Sequence, residues 1–227
     1  MFFLNRKFTS AIIAGGGSGS RMNGVCDNKL LYKINNIPVI CHTIMAYSKA
    51  RTISEIIVVV KQDMLEEMST LLFDYNLEKS VKIILAGGDS RFKSVLIGLD
   101  SVSPKARYVA IADADRPFIT PEQIDAVSEK AYETKAAALC DNVYDTIKVK
   151  NDKGFIVSTI DRNTLLAMQT PQTFEVTLYK KAVTNALVKN LDVTDDCGLL
   201  ESIAYPVYPV MGNKGNIKIT TPSDIGK

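Results

Sequence analysis

Short apolar runs alternating with amphipathic stretches constrain this 227-residue chain more than any other feature. Residues 10–14 (SAIIA), 55–60 (EIIVVV), 81–86 (VKIILA), 107–113 (RYVAIAD) and 136–140 (AAALC) are too short for helices and mostly unbroken by polar residues, so each reads as a buried strand. Between them, residues 38–50, 63–75, 92–99 and 121–134 repeat apolar side chains at intervals of three and four, the spacing of helices that cover a sheet. Strands alternating with helices need right-handed crossovers. The expected fold is therefore α/β: a Rossmann-like, mostly parallel sheet with helices on both faces, whose ligands bind beyond the carboxyl ends of the strands.

The alternation breaks after residue 140. Residues 144–150 and 155–160 are two β-type runs around the turn Asn151-Asp152-Lys153-Gly154, which predicts a hairpin projecting as an arm over about 141–162. Exposed arms with apolar faces find partner subunits. A helix over 176–189, a capped helix start at Thr194-Asp195-Asp196 and a last strand, NIKITT (216–221), complete the reading, and PSDIGK reads as the beginning of another helix. No repeat or low-complexity linker divides the chain, so one domain is expected over 1–227.

Composition removes several function classes. With 27 basic residues against 25 acidic ones there is no footprint for nucleic acid or an anionic membrane. MFFLNRKF breaks any signal-peptide core with charges, and no apolar run reaches membrane-spanning length, which points to the cytoplasm. Cys26, Cys41, Cys140 and Cys197 form no CxxC pair, and His42 is the only histidine, which argues against a zinc cage and a histidine-based triad. His42 reads as a helix-surface residue.

The loop that follows the first strand, GGGSGSR, carries the chemistry. Its glycines Gly15, Gly16, Gly17 and Gly19 let backbone N–H groups approach a phosphate chain, and Arg21 with Lys29 adds fixed positive charge. Glycines alone would serve a flexible strand-to-helix turn equally well; the two cations favour the phosphate. The dinucleotide fingerprint is absent, because the sixth position from Gly15 is Ser20 and from Gly17 is Met22, and the second strand runs into Lys61 rather than a ribose-binding acid. A Walker A loop is absent too, since Gly24 is followed by Val25.

The loop resembles the A-A-G-x-G-x-R-M loop of the methylerythritol phosphate cytidylyltransferases. GGDSRFKSV (87–95), DADRP (113–117), DTIK (145–148), TIDRNTLLAMQTPQTF (159–174), TDD (194–196) and GNIKITTPSDI (215–225) follow in that family's order, over nearly the whole chain. The resemblance implies transfer of a cytidylyl group from CTP to a polyol phosphate with release of pyrophosphate. It also implies Mg²⁺ as the cofactor and a homodimer whose arms cross. By the same correspondence Arg21 and Lys29 stabilise the pentacoordinate transition state, and Arg162 and Lys218 hold the attacking phosphate in line. Asp113 would bind the metal; Gly88, Asp89 and Ser94 would contact cytosine and ribose; Arg116, Thr146, Thr170 and Thr194 would contact the polyol phosphate. For Asp89 and Ser94 a helix-cap role is the alternative.

Two departures stand out: Asn28-Lys29-Leu30 where the family usually has P-K-Q, and Asp115 where it has a small residue. NKLL is closer to the molybdenum-cofactor cytidylyltransferases, which share the sheet. A sister group that activates ribitol phosphate for wall or capsule polymers resembles this chain less in DTIK and in DRNTLLAMQTPQ. Methylerythritol phosphate is therefore the expected acceptor and ribitol 5-phosphate the alternative.

Overall fold

The structure is a computed structural model that describes residues 7–16 and 28–224. Its strands are β1 (Thr9–Ala14), β2 (Lys33–Ile34), β3 (Ile37–Pro38), β4 (Ile53–Val60), β5 (Ile83–Ala86), β6 (Tyr108–Asp113), β7 (Ala136–Asn142), β8 (Ile147–Lys150), β9 (Ile156–Ile160), β10 (Leu166–Glu175) and β11 (Tyr208–Met211). The helices are α1 (Val39–Lys49), α2 (Leu65–Asp74), α3 (Arg91–Asp100), α4 (Pro121–Thr134), α5 (Val176–Lys189) and α6 (Asp196–Glu201). Seven strands make one sheet in the order β11-β7-β10-β6-β1-β4-β5, in which β10 alone runs antiparallel to its neighbours.

The pleat sends alternate residues to two cores. Ala11, Ile13, Val58, Val60, Ala110 and Ala112 face α1, α2 and α4 through Ile40, Ile44, Met68, Leu72, Ile124 and Val127. Ile12, Ile57, Val59, Val109 and Ile111 face α3, α5 and α6 through Val95, Leu99, Tyr179, Ala182, Leu199 and Leu200. Helices on both faces of a mostly parallel sheet are what the alternating pattern predicts. Gly98 of α3 packs so closely that an added Cβ would lie 2.5 Å from Ile12 Cγ2, which draws this helix onto β1.

The helix bounds follow from local chemistry. Thr120 accepts a hydrogen bond from the Gln123 amide and Gln123 reaches back to the Thr120 amide, a capping box with Pro121 at the first turn of α4. Asp195 caps α6 by accepting from the Gly198 amide at 3.0 Å. The predicted hairpin forms as β8 and β9, a two-stranded sheet of its own whose turn is closed by Gly154 N donating to Asn151 O at 2.9 Å, with Gly154 at φ +86°. His42 is half-buried on α1 and sits 2.9 Å from Ile34 O, rather than lying free on the surface.

Three expectations need correction. NIKITT is extended but belongs to no sheet; it docks through Ile219 N donating to Asp115 O at 2.9 Å, and Ile219 is buried with Val39. Its polar–apolar alternation reflects burial against a helix rather than a ladder. The helix expected at PSDIGK is a short 3-10 turn at Pro222–Asp224 among the described residues. Strands β10 and β11 were not anticipated, β10 because of its polar run Gln169–Gln172 and β11 because Pro209 argues against a strand except at an edge, where β11 lies.

At the amino-terminal end of the sheet Glu55 binds three segments together. Its carboxylate accepts from Ser10 Oγ and Ser103 N, each at 2.6 Å, and pairs with Lys82 at 2.9 Å. Burial opposes its ionisation, but the Ser10 hydroxyl, the Ser103 amide and Lys82 outweigh it and hold the carboxyl below its ordinary value. A depressed folded value means stability that is complete above the unfolded pKa, about 4.3, and is lost as pH falls through the folded value. Glu55→Gln is therefore expected to cost about 1–2 kcal/mol in urea unfolding at pH 7, with the difference shrinking at pH 3; a difference independent of pH would contradict this.

Candidate active site

Asp113 is the last residue of β6 and is 7% exposed. Its Oδ1 accepts from Arg91 Nε at 3.1 Å, and its Oδ2 accepts from Arg116 Nε at 3.3 Å and Lys218 Nζ at 2.9 Å. Three cations from three distant segments thus converge at one carboxyl strand end. Burial alone would favour the neutral acid, but Arg91, then Lys218 and Arg116, reverse that and hold the Asp113 carboxyl well below the usual carboxylate range.

The cluster extends in both directions. Arg91 Nη1 also donates to Asp196 Oδ2 at 2.7 Å, and Asp196 Oδ1 accepts from the buried Tyr179 hydroxyl at 2.5 Å. Burial, then Asp196, pushes the Tyr179 phenol far above its ordinary value. On the other side, Lys29 Nζ donates to Asp115 Oδ2 and to Ile219 O, the latter at 3.2 Å. Arg116 Nη1 donates to Asn216 O at 2.9 Å, and the Asn216 amide reaches Gln169 Oε1 at 2.9 Å. Lys29, Arg116 and Lys218, far apart in sequence, are therefore neighbours, as the motifs imply.

The second part of the site lies between β1 and α3. A Cβ on Gly16 would meet Ser94 Oγ at 2.7 Å, and one on Gly87 would meet the same atom at 2.6 Å. Two glycine loops thus close on one buried serine, and a Cβ at either position would force the Ser94 hydroxyl to move. Ser94 Oγ donates to Ser90 O at 2.9 Å. The cap of α3 is Ser90, which accepts from the Lys93 amide, so neither Asp89 nor Ser94 serves as the cap. Asp89 is exposed and pairs with Lys93 at 2.8 Å. Gly88 is half-buried, and a Cβ there would meet Lys93 Cβ at 2.6 Å.

Beside the ionic cluster an open cleft of about 650 Å³ is lined by Arg116, Lys218, Asn216 and Lys214 on one side and by Asp141, Tyr144, Asp145 and Ile147, at the base of the arm, on the other. Arg162 is not part of this lining: it is exposed, donates to Tyr144 O at 2.6 Å and lines an adjoining hollow that shares Asn142, Val143 and Tyr144 with the cleft. Thr146 is exposed near the arm's base, and Thr194 is exposed at another hollow, with Leu166 and Met168. Thr170 is buried and its Oγ1 accepts from Asp113 N at 3.1 Å, so it orients the strand end. Gly17, Gly19 and Arg21 lie outside the described residues.

Sequence reasoning missed Arg91 as a partner of Asp113 and Asp196 as the second partner of Arg91, although both stand within the motifs GGDSRFKSV and TDD. It also missed Asn216, a polar residue within an alternating apolar segment, which was its signal. Cys41, Cys140 and Cys197 are buried and free; burial pushes the Cys41 thiol up to about 11.

The family model for 2-C-methyl-D-erythritol 4-phosphate cytidylyltransferase matches residues 9–227. The chain belongs to this family. A relative bearing that name from Desulforamulus reducens is 38% identical over 215 residues, covering 95% of this chain and 92% of its own. Another from Caldanaerobacter subterraneus is 40% identical over 217 residues, covering 95% of each chain. The solved 4-diphosphocytidyl-2C-methyl-D-erythritol synthase of Anaerococcus prevotii superimposes with a TM-score of 0.84 at 30% identity, covering 98% of this chain and 94% of that one. The protein is a nucleotidyltransferase of the cytidylyltransferase type, and methylerythritol phosphate, preferred over ribitol 5-phosphate from the motifs, is the acceptor named throughout these relatives. Among the described residues no helix is long and apolar enough to cross a membrane.

Arg91 is the cation shared by Asp113 and Asp196, so Arg91→Ala should leave Asp196 without its guanidinium partner and Asp113 with only Arg116 and Lys218, and cost about 3 kcal/mol in urea unfolding. A loss below about 1 kcal/mol would show that the network is not tensioned through Arg91.

Proposed function

We propose that the enzyme binds CTP between the Gly15-Gly16 loop and the Gly87-Gly88 loop, and methylerythritol phosphate in the cleft lined by Arg116 and Lys218. The convergence of Lys29, Arg116 and Lys218 at the carboxyl ends of β1 and β6 is the observation that carries this reading. A phosphate oxygen of the acceptor forms a bond to the α-phosphorus of CTP, and the bond from that phosphorus to the bridging oxygen breaks, releasing pyrophosphate. Such reactions depend mainly on alignment and on cations placed where negative charge gathers. Lys29, with Arg21 from the glycine loop, stabilises the five-coordinate phosphorus; Lys218 and Arg116 hold the acceptor's phosphate; Ser94 and the Gly88 backbone leave room for a pyrimidine.

A divalent metal fits this donor set in one manner. Among the described residues there is no group of three or more side chains able to cage an ion. Asp113 and Asp115 can offer one or two oxygens, the usual protein share for Mg²⁺ bound chiefly by nucleotide phosphates and water. Asp113 already serves three cations, whereas Asp115 Oδ1 is buried with no hydrogen-bond partner among the described residues. When bound, Mg²⁺ supplies charge neutralisation to the triphosphate. This chain's residues place the acceptor beside it. Pyrophosphate release from CTP should occur with methylerythritol phosphate and stop when a chelator is added. Release with ribitol 5-phosphate alone would overturn the acceptor, and release insensitive to chelation would overturn the metal.

The arm supports a homodimer. Phe155, Ile156 and Val157 are 68%, 69% and 56% exposed on a two-stranded sheet, which is marginal by itself in water. Arg162, which does not line the cleft of Lys218 on its own subunit, would complete the site of a second copy, with Thr146 at the arm's base. Lys29→Ala and Arg162→Ala proteins, each impaired, should regain activity when mixed, because one of the two sites in each heterodimer keeps every group intact. No recovery after verified subunit exchange would refute the shared site.

A further inference from the structure

We propose that Asp115 is a positioning residue that anchors Lys29 and, with its other oxygen 4.0 Å from the Lys218 Nζ that Asp113 binds, sets the spacing of the two lysines before the triphosphate arrives. The inference rests on the cytidylyltransferase reading of the site and assigns Asp115 a role apart from any oxygen it offers to a metal.

The Asp115 side chain is 8% exposed and that of Lys29 13%, so their ion pair is shielded from solvent. Oδ2 accepts from Lys29 Nζ; Oδ1 lies 4.0 Å from Lys218 Nζ and has no hydrogen-bond partner among the described residues. The backbone closes the same circuit. Asp115 O accepts from Ile219 N at 2.9 Å, and Ile219 O accepts from Lys29 Nζ at 3.2 Å. One residue therefore fastens the segment carrying Lys218 to the loop after β6 and fastens Lys29 to both.

An anion placed among cations that await a triphosphate weakens ground-state binding, because it competes with the phosphates for the same lysines. Such a cost is offset only where the geometry it imposes counts in the transition state. Lysine is a point charge on a four-carbon stem with many rotamers, and a fixed acceptor restricts it. With Lys29 anchored on Oδ2 and Oδ1 open toward Lys218, the carboxylate acts through both lysines and needs no contact with the reacting atoms.

Asp115→Asn keeps the size and an acceptor oxygen and removes the charge. We expect its turnover number for pyrophosphate release to fall about tenfold, while CTP affinity measured by calorimetry without the acceptor stays equal or rises. A packing defect would lower stability without this division between turnover and affinity. In a Lys29→Ala background, under single-turnover conditions, the same substitution should change the rate less than about twofold, because its effect passes through the lysine. The proposal is overturned if Asp115→Asn turns over within about twofold of the parent, if CTP affinity falls instead, or if the loss is as large without Lys29. Should Asp115→Asn fail to fold, Lys29→Met/Asp115→Leu removes both charges, and its rate must match that of Lys29→Met within about twofold; a further loss overturns the proposal. A parent inactive on CTP and methylerythritol phosphate would sink the functional reading instead.

Discussion

Everything at the carboxyl end of this sheet depends on one buried carboxylate surrounded by three cations. Asp113 would be neutral in that position were it alone, because taking a charge out of water is expensive unless it is paired. Arg91, Arg116 and Lys218 pair it, and each belongs to a different segment: the start of α3, the loop after β6 and the C-terminal extended segment. The ionic contact is therefore also a topological clamp. Through Arg91 it passes to Asp196 and Tyr179, which ties the clamp to α5 and α6 and to the core around Phe174, whose ring stacks on Tyr179 at 5.2 Å. The buried charges of the cluster thus compensate one another, and the proposed reading has phosphates take the place of these carboxylates on the cations.

The two halves of the site have different mechanical characters. The half proposed for the nucleotide is built on the sheet, where Gly15 N donates to Val59 O and Gly87 N to Val60 O, both at 2.7 Å, so both glycine loops leave the strands in fixed directions with Ser94 wedged between them. The half proposed for the acceptor borrows from the arm, where β8 and β9 pair only with each other among the described residues and present apolar side chains to solvent. The first half is fixed by close packing on the sheet, and the second leans on a segment whose apolar side chains are exposed.

Much of this was legible in the sequence, for identifiable reasons. Strands buried on both faces carry unbroken apolar runs, so β1, β4 and β6 are plain, and the capping box with Pro121 marks the start of α4 to the residue. β10 is hidden because its inward side chains are polar: Gln172 accepts from the Asp196 and Cys197 amides at 3.0 and 3.1 Å and donates to Asp195, so a residue that reads as loop fastens the start of α6. NIKITT misleads in the opposite direction, since Ile217 and Ile219 pack toward Val39 with strand-like alternation and without a strand partner. Arg116 and Lys218 were recognisable from their motifs, but Arg91 was not singled out, because nothing in a linear reading distinguishes an arginine that orders a buried acid from one on a helix surface.

The central claim is that Asp113 is clamped by its cations in the nucleotide-free enzyme. Carboxyl-detected NMR on protein labelled at aspartate, with the Asp113 signal assigned through Asp113→Asn, measures this directly. The account predicts that the signal shows no protonation down to the lowest pH at which the protein stays folded, well below the ordinary aspartate value of about 3.9. A titration midpoint at or above that value would contradict it, and would mean that the three cations serve some other partner.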